Sequence, residues 1–135
     1  MRIIGIDFGE ARTGIAMSDP MGWTAQGVCT VSERNPEKVA EKVCEIIKEY
    51  KAEKAVLGLP RNMDGSEGFR AEATRKFAEI LKTKTDIEIV FWDERLSTVS
   101  AQRTLNETGF NPKKKRSVID TVAATYILQG FLDKK

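Results

Sequence analysis

Apolar and polar positions change period several times along this chain, and each change marks an element. The stretch "RIIGIDF" has the β-branched density of a buried strand, and "TGIAMSD" alternates as a second strand after a short glycine-containing turn. "WTAQGVCTVS" reads as a third. Connections this short predict an antiparallel meander, because a parallel connection needs a crossover of roughly a dozen residues or more. In "NPEKVAEKVCEIIKEY" the period becomes helical: Val39, Val43, Ile46, Ile47 and Tyr50 share one face, with Pro36 near the start. "KAVLGLP" is a short buried strand. "SEGFRAEATRKFAEILK" is a second helix, with Phe69, Ala73, Phe77, Ile80 and Leu81 on one stripe and Ser66 as its start signal. "IEIVFWDE" is a fifth strand. Beyond it, "STVSAQRTLNETG" predicts a helix capped by Ser97 and stopped by Gly109, and "SVIDTVAATYILQGFL" a final helix.

Three strands, then helix, strand, helix, strand and further helices describe an α/β chain. Strand-helix-strand units are right-handed and parallel, so the last two strands should join the first in a mixed five-stranded sheet flanked by helices. No linker or repeat interrupts residues 1–135, which read as a single domain. In such sheets ligands bind beyond the carboxyl ends of the parallel strands. That rule selects Asp7, then "GLPRNMDGSEG", then Asp93 and Glu94.

Composition narrows the chemistry. With 41% hydrophobic and 31% charged residues the chain is globular, and no apolar run approaches the roughly 20 residues that span a bilayer. No basic segment precedes a cleavable apolar one, so a cytoplasmic location with no membrane partner is expected. Cys29 and Cys44 lack metal-ligand spacing and sit among apolar neighbours, as small core residues do. A net charge of +2 does not by itself argue for nucleic acid, but Lys113, Lys114, Lys115 and Arg116 form one cationic block. The chain has no histidine, which removes Ser-His-Asp and Cys-His catalysis, His-ligated zinc and histidine general bases together.

The remaining candidates are carboxylates. Asp7 ends the first strand and runs into "DFGEARTG", whose glycines suit a phosphate approach and a plain hairpin turn equally well. "FWDERLST" leaves a strand with Asp93 and Glu94 adjacent, which reads either as an exposed strand end whose carboxylates pair with Arg95 or assist the Ser97 cap, or as a site in which one acid faces Asp7; since side chains alternate, only one of them should do so. Asp120 in "SVIDTVAATYIL" fits a capping box with Ser117, yet lies about 100° round the helix from Ile119 and close to the direction of Ile127, on the border of the buried face. Acids converging from these three places would repel one another unless a divalent cation neutralised them, and Mg²⁺ or Mn²⁺ suits an all-oxygen site. Water activated by such an ion and attacking a phosphodiester is the chemistry that fits an inventory without histidine. The glycine-rich "GLPRNMDGSEG" could offer amides to a phosphate, and the cationic block could hold a polyanion in register.

"GIDFGEARTGIAMSD", "GLPRNMDGSEG", "DERLST" and "SVIDTVAATYIL" together closely resemble the YqgF family, also called RuvX, a bacterial branch of the RuvC-like nucleases with the ribonuclease H fold. The resemblance covers nearly the whole chain. It implies a ribonuclease H-like domain and a nuclease dependent on Mg²⁺ or Mn²⁺, whose ligands and catalytic acids are Asp7, Glu94 (with Asp93 as the alternate) and Asp120. Gly9, Arg12, Arg61, Arg95, Lys113, Lys114, Lys115 and Arg116 become candidates for holding the substrate backbone. Members have been described as nucleases maturing the 5′ end of the 16S ribosomal RNA precursor and as Holliday-junction resolvases acting on branched DNA; nucleic acid is the expected partner, and the former role would bring ribosome association. Two readings compete. Sugar kinases and actin-like ATPases use a similar first hairpin on ATP, but need two such domains to enclose it; a silent nucleic-acid-binding module would have no use for three acids.

Overall fold

The computed structural model describes residues 1–96 and 112–134, with the side chains of residues 112–120 outside the description. Strands β1 (Ile3–Asp7), β2 (Arg12–Ser18) and β3 (Ala25–Ser32) form the expected meander, joined by two short turns. Helix α1 (Pro36–Tyr50) crosses to β4 (Lys54–Leu59), and α2 (Phe69–Lys82) crosses to β5 (Glu88–Asp93). A short 3₁₀ turn (Glu94–Leu96) follows, and α3 (Pro112–Lys134) closes the described chain. The sheet order is β3-β2-β1-β4-β5, with β4 parallel to both β1 and β5. This is the mixed five-stranded sheet expected from the alternation of periods. The helix read in "STVSAQRTLNETG" lies outside the described residues.

Strand alternation divides the sheet into two faces. Ile4, Ile6, Ile15, Ala55 and Leu57 join the core under α1 and α2, whereas Ile3, Ala16 and Val56 join Ala124, Ile127, Leu128 and Leu132 under α3. Helix α1 forms because Pro36 stands at its first position, Asn35 Oδ1 accepts the Glu37 N–H at 3.0 Å, and Val39, Ala40, Val43, Cys44 and Ile47 recur on one buried stripe. It ends where Lys51 turns left-handed (φ 57°) and its N–H reaches the Ile47 and Lys48 carbonyls. Among the described residues no helix is long and apolar enough to cross a membrane.

Two helices differ from their sequence expectation. Helix α2 starts at Phe69 with Gly68 as its cap, because Ser66 is engaged in the preceding turn, where its hydroxyl and N–H both donate to Asp64 Oδ1. Its buried stripe is Ala71, Thr74, Phe77, Ala78 and Leu81, which leaves Phe69 74% exposed. The helix is turned so that Ala71, Thr74 and Ala78 face inward and the larger Phe69 does not, which apolarity alone does not reveal. Helix α3 begins at Pro112, not Ser117, so Lys113–Arg116 lie within its first turns and Ser117 with Asp120 is not a helix start.

Helix α3 lies close to the sheet. A methyl group on Gly5 would stand 2.7 Å from Leu128 Cβ and 3.1 Å from the Ala124 carbonyl oxygen, so the helix backbone itself would have to move. We expect Gly5→Ala to destabilise the protein by about 1–3 kcal/mol in urea unfolding, the usual range for overpacking. An unchanged midpoint would show that α3 is free to lift.

Candidate functional site

Asp7 is the last residue of β1, opposite Gly14, and shares with Gly5 the face that α3 covers. The hairpin beyond it is tight: a Cβ on Gly9 would collide with the Arg12 carbonyl oxygen. Gly9 is therefore required by the close turn that keeps the end of β1 beside β2.

The adjacent acids separate as alternation requires. Phe91 packs with the core under α2, and Trp92 meets Phe131 and Gly130 of α3. Asp93, still paired with Leu59, turns to the α2 side and is gripped by Arg95: Nη2 at 2.6 Å, Nε at 3.0 and 3.1 Å, and the backbone N–H at 2.9 Å. The Arg95 hydrogen bonds hold its carboxyl below the ordinary carboxylate range. Glu94 turns the other way and lies across Gly58 of β4, where a Cβ would be 3.1 Å from its Cγ and 3.2 Å from Oε2. Burial, then the charge of Asp7, push the Glu94 carboxyl up to about 7, against a weaker opposing pull from Arg70. The fold thus brings Glu94 to Asp7 and commits Asp93 to Arg95.

The other candidates are placed less directly. Arg95 also reaches the Met63 carbonyl at 3.4 Å, which ties the 3₁₀ turn to the loop after β4. In that loop the N–H groups of Asn62, Gly65 and Ser66 are taken by Ser66, Asn62 and Asp64, so these three amides do not form the phosphate cradle that its glycines suggest. Arg61 pairs with Glu67 at 3.5 Å, and Glu67 in turn receives two hydrogen bonds from Arg75. Arg12 opens β2 beside the hairpin. Lys113, Lys114, Lys115, Arg116 and Asp120 belong to α3, with side chains outside the description. What positions Asp120 is its helix. Thr121 packs on Gly27 and meets the Thr30 hydroxyl at 3.2 Å, and Ile127, two turns further along, packs at Gly58 beside Glu94.

One residue of the site escaped sequence reasoning. Arg70, second in α2, donates to the Phe8 carbonyl at 3.4 Å and lies near enough to Glu94 to favour its charged form. The available signal was a cation at a helix start behind a glycine-rich strand end, which alone looks like an ordinary solvated residue. Two carboxylates at the carboxyl end of parallel strands, one of them strained by the other, form an oxygen-rich place for a hard cation. Among the described residues no third acid joins them.

The chain matches the family described as "RuvX: Holliday junction resolvase" over residues 1–134. A relative from Acetivibrio thermocellus, named "Putative pre-16S rRNA nuclease", is 47% identical over 137 residues, covering 100% of this chain and 97% of its own length. One from Moorella thermoacetica bearing the same name is 49% identical over 134 residues, covering 99% and 96%. Among solved structures, Thermus thermophilus RuvC in complex with Holliday junction substrate aligns with a TM-score of 0.63 at 10% identity over 99% of this chain and 96% of that one. The fowlpox virus Holliday junction resolvase aligns with a TM-score of 0.56 at 10% identity, over 100% of both chains. Those two likenesses are of fold, and they identify the sheet as ribonuclease H-like. With the family matched along 134 residues and near-half identity to full-length relatives, this chain belongs to the RuvX family.

Proposed function

We propose that the protein is a cytoplasmic nuclease that uses Mg²⁺ or Mn²⁺ to hydrolyse phosphodiester bonds in maturing the 5′ end of pre-16S ribosomal RNA. The observation that carries the reading is the Asp7–Glu94 pair. Glu94 is held at about 7 by burial and by Asp7, so the two carboxylates oppose each other in a way that a divalent cation relieves. The names of the relatives support the choice of RNA.

The donor set fits a hard cation: oxygen ligands, no histidine, and a like-charged pair. Asp7, Glu94 and Asp120 would hold it, Asp120 arriving on α3. When bound, the ion supplies Lewis-acid polarisation of the phosphate and an acidified attacking water. The chain's own residues do the rest. Gly58 leaves room for Glu94 to reach Asp7, and Arg70 braces the Phe8 carbonyl next to Asp7. Arg12 and the Lys113–Arg116 block would be the cations that hold a phosphate backbone in register.

The test offers a pre-16S 5′-leader RNA and a four-way DNA junction to purified protein with Mg²⁺, with Mn²⁺ and with EDTA. Metal-dependent cutting of the RNA is expected. Cutting of the junction alone would replace this reading with junction resolution. In the same assay Asp93→Asn should retain activity within about 10-fold, since Asp93 faces Arg95, and so lose far less than Glu94→Gln. Equal losses would make Asp93 a ligand.

A further inference from the structure

At the same end of the sheet as the carboxylate pair, but on its α1–α2 side, lies a concave feature. A cavity of about 330 Å³ opens between the β1–β2 hairpin and the starts of α1 and α2. Its floor is Phe8 over Phe77, buried rings that stack on each other at 4.3 Å and 13°, so the aromatic face open to a ligand is that of Phe69. Ala73 and Ile80 extend the apolar wall. Phe69 stands at its edge, an exposed apolar residue left in water at a helix start. Arg34, Arg70 and Lys76 surround the opening, against the single acid Glu10. The volume falls at the small end of ligand pockets (about 300–1,000 Å³), the scale of one nucleoside.

We propose that this cavity is a subsite for one unpaired nucleobase of the substrate strand, so that the protein selects single-stranded over fully paired nucleic acid next to the scissile phosphate. The inference rests on the nuclease reading and names its substrate class. Three observations carry it. The cavity is linked to the carboxylate pair through Arg70, which lines it, donates to the Phe8 carbonyl one residue beyond Asp7, and favours the charged form of Glu94. Its charge suits a polyanion, whereas the groove between β3 and α1 presents Glu33, Glu41, Glu45 and Glu49 against two lysines, and the groove on the far side of Phe69 presents Glu67, Glu72 and Glu79 against Arg75 and Lys76, the latter shared with the cavity and paired with Glu72 at 3.3 Å. Its chemistry is the general one for unpaired bases: an aromatic face for stacking beside cations for the flanking phosphates. A base inside a duplex is already stacked and paired and would have to be extruded to enter.

The test is equilibrium binding in EDTA, read by fluorescence anisotropy, with a labelled single-stranded RNA, its blunt duplex, and a set of single strands each carrying one abasic nucleotide. Wild type should bind the single strand more tightly than the duplex by about 10-fold or more. Phe69→Ala, a change at an exposed position, should weaken single-strand binding by about 5- to 100-fold, the range for loss of one stacked base, and duplex binding by less than about 2-fold. One abasic position should reproduce the loss in wild type and add nothing to it in Phe69→Ala. A flat abasic series, equal losses on both substrates, or no loss in the variant would overturn the subsite. The nuclease reading fails separately. Base-dependent binding without cleavage of any substrate in Mg²⁺ would remove the activity and leave the subsite, whereas Asp7-dependent cleavage with unaltered Phe69→Ala binding would do the reverse.

Discussion

Asp7→Asn is expected to lower Mg²⁺-dependent cleavage by on the order of 10³-fold or more while leaving the fold intact. The amide matches the carboxylate in size, so the end of β1, its pairing with Gly14 and the tight turn at Gly9 have no steric reason to change. What is lost is one negative charge at the place where a cation would sit. The same loss removes the repulsion that Asp7 exerts on Glu94, so the metal-free variant should be no less stable than wild type. Single-turnover cleavage, together with circular dichroism and thermal melting in EDTA, separates the two effects. Cleavage within about 10-fold of wild type would remove Asp7 from the chemistry and the metal site with it.

Glu94→Gln should abolish cleavage to a similar degree and, in EDTA, make the protein more stable at alkaline pH. Glu94 sits at about 7 in the folded chain against an ordinary 4.5, so the folded state holds that proton more tightly than the unfolded state does. The stabilisation it contributes is complete below about pH 4.5, declines between there and 7, and is gone above 7. The shift corresponds to at most about 3 kcal/mol, and solvent access and relaxation reduce the expected effect to about 1–2 kcal/mol. Wild type should lose that amount between pH 5 and pH 8, on a scale of about one unit at either end, and Glu94→Gln should not. Adding Mg²⁺ or Mn²⁺ at pH 8 should raise the wild-type melting temperature, because binding to the folded state alone stabilises it, and should leave the Gln variant unmoved. Parallel pH profiles for the two proteins would show that Glu94 is not the strained group.

A pair held in mutual repulsion is a cost to the empty protein that an inert strand end would not carry. Sites that bind or catalyse commonly trade stability in this way. Gly58 serves the same pair: a Cβ there would stand 2.5 Å from Ile127 Cδ1 and 3.1 Å from Glu94 Cγ, so a larger residue would have to push one of them aside.

Much of this molecule is legible from local pattern. The period-2 and period-3.6 stretches locate five strands and α1, and short against long connections specify which strands are antiparallel and which parallel. Alternation along β5 also implies that Asp93 and Glu94 part company. Periodicity misleads at α2, where it selects the large residue Phe69 for the core and the structure buries Ala71, Thr74 and Ala78. How near a helix may approach is set by the surface opposite, and no window of sequence contains that surface.

The chain by itself therefore determined the element order, the absence of histidine chemistry and the strand-end carboxylates, because each depends on residue identity and on spacing within one segment. Tertiary structure decided which acid meets Asp7, that Arg70 stands beside the pair, and that Phe69 edges a cationic cavity instead of filling the core. Each of these depends on distances between segments far apart in the chain. Burial and neighbouring charge shift a carboxyl only once those distances exist, and they come into being only when the sheet and its helices pack together.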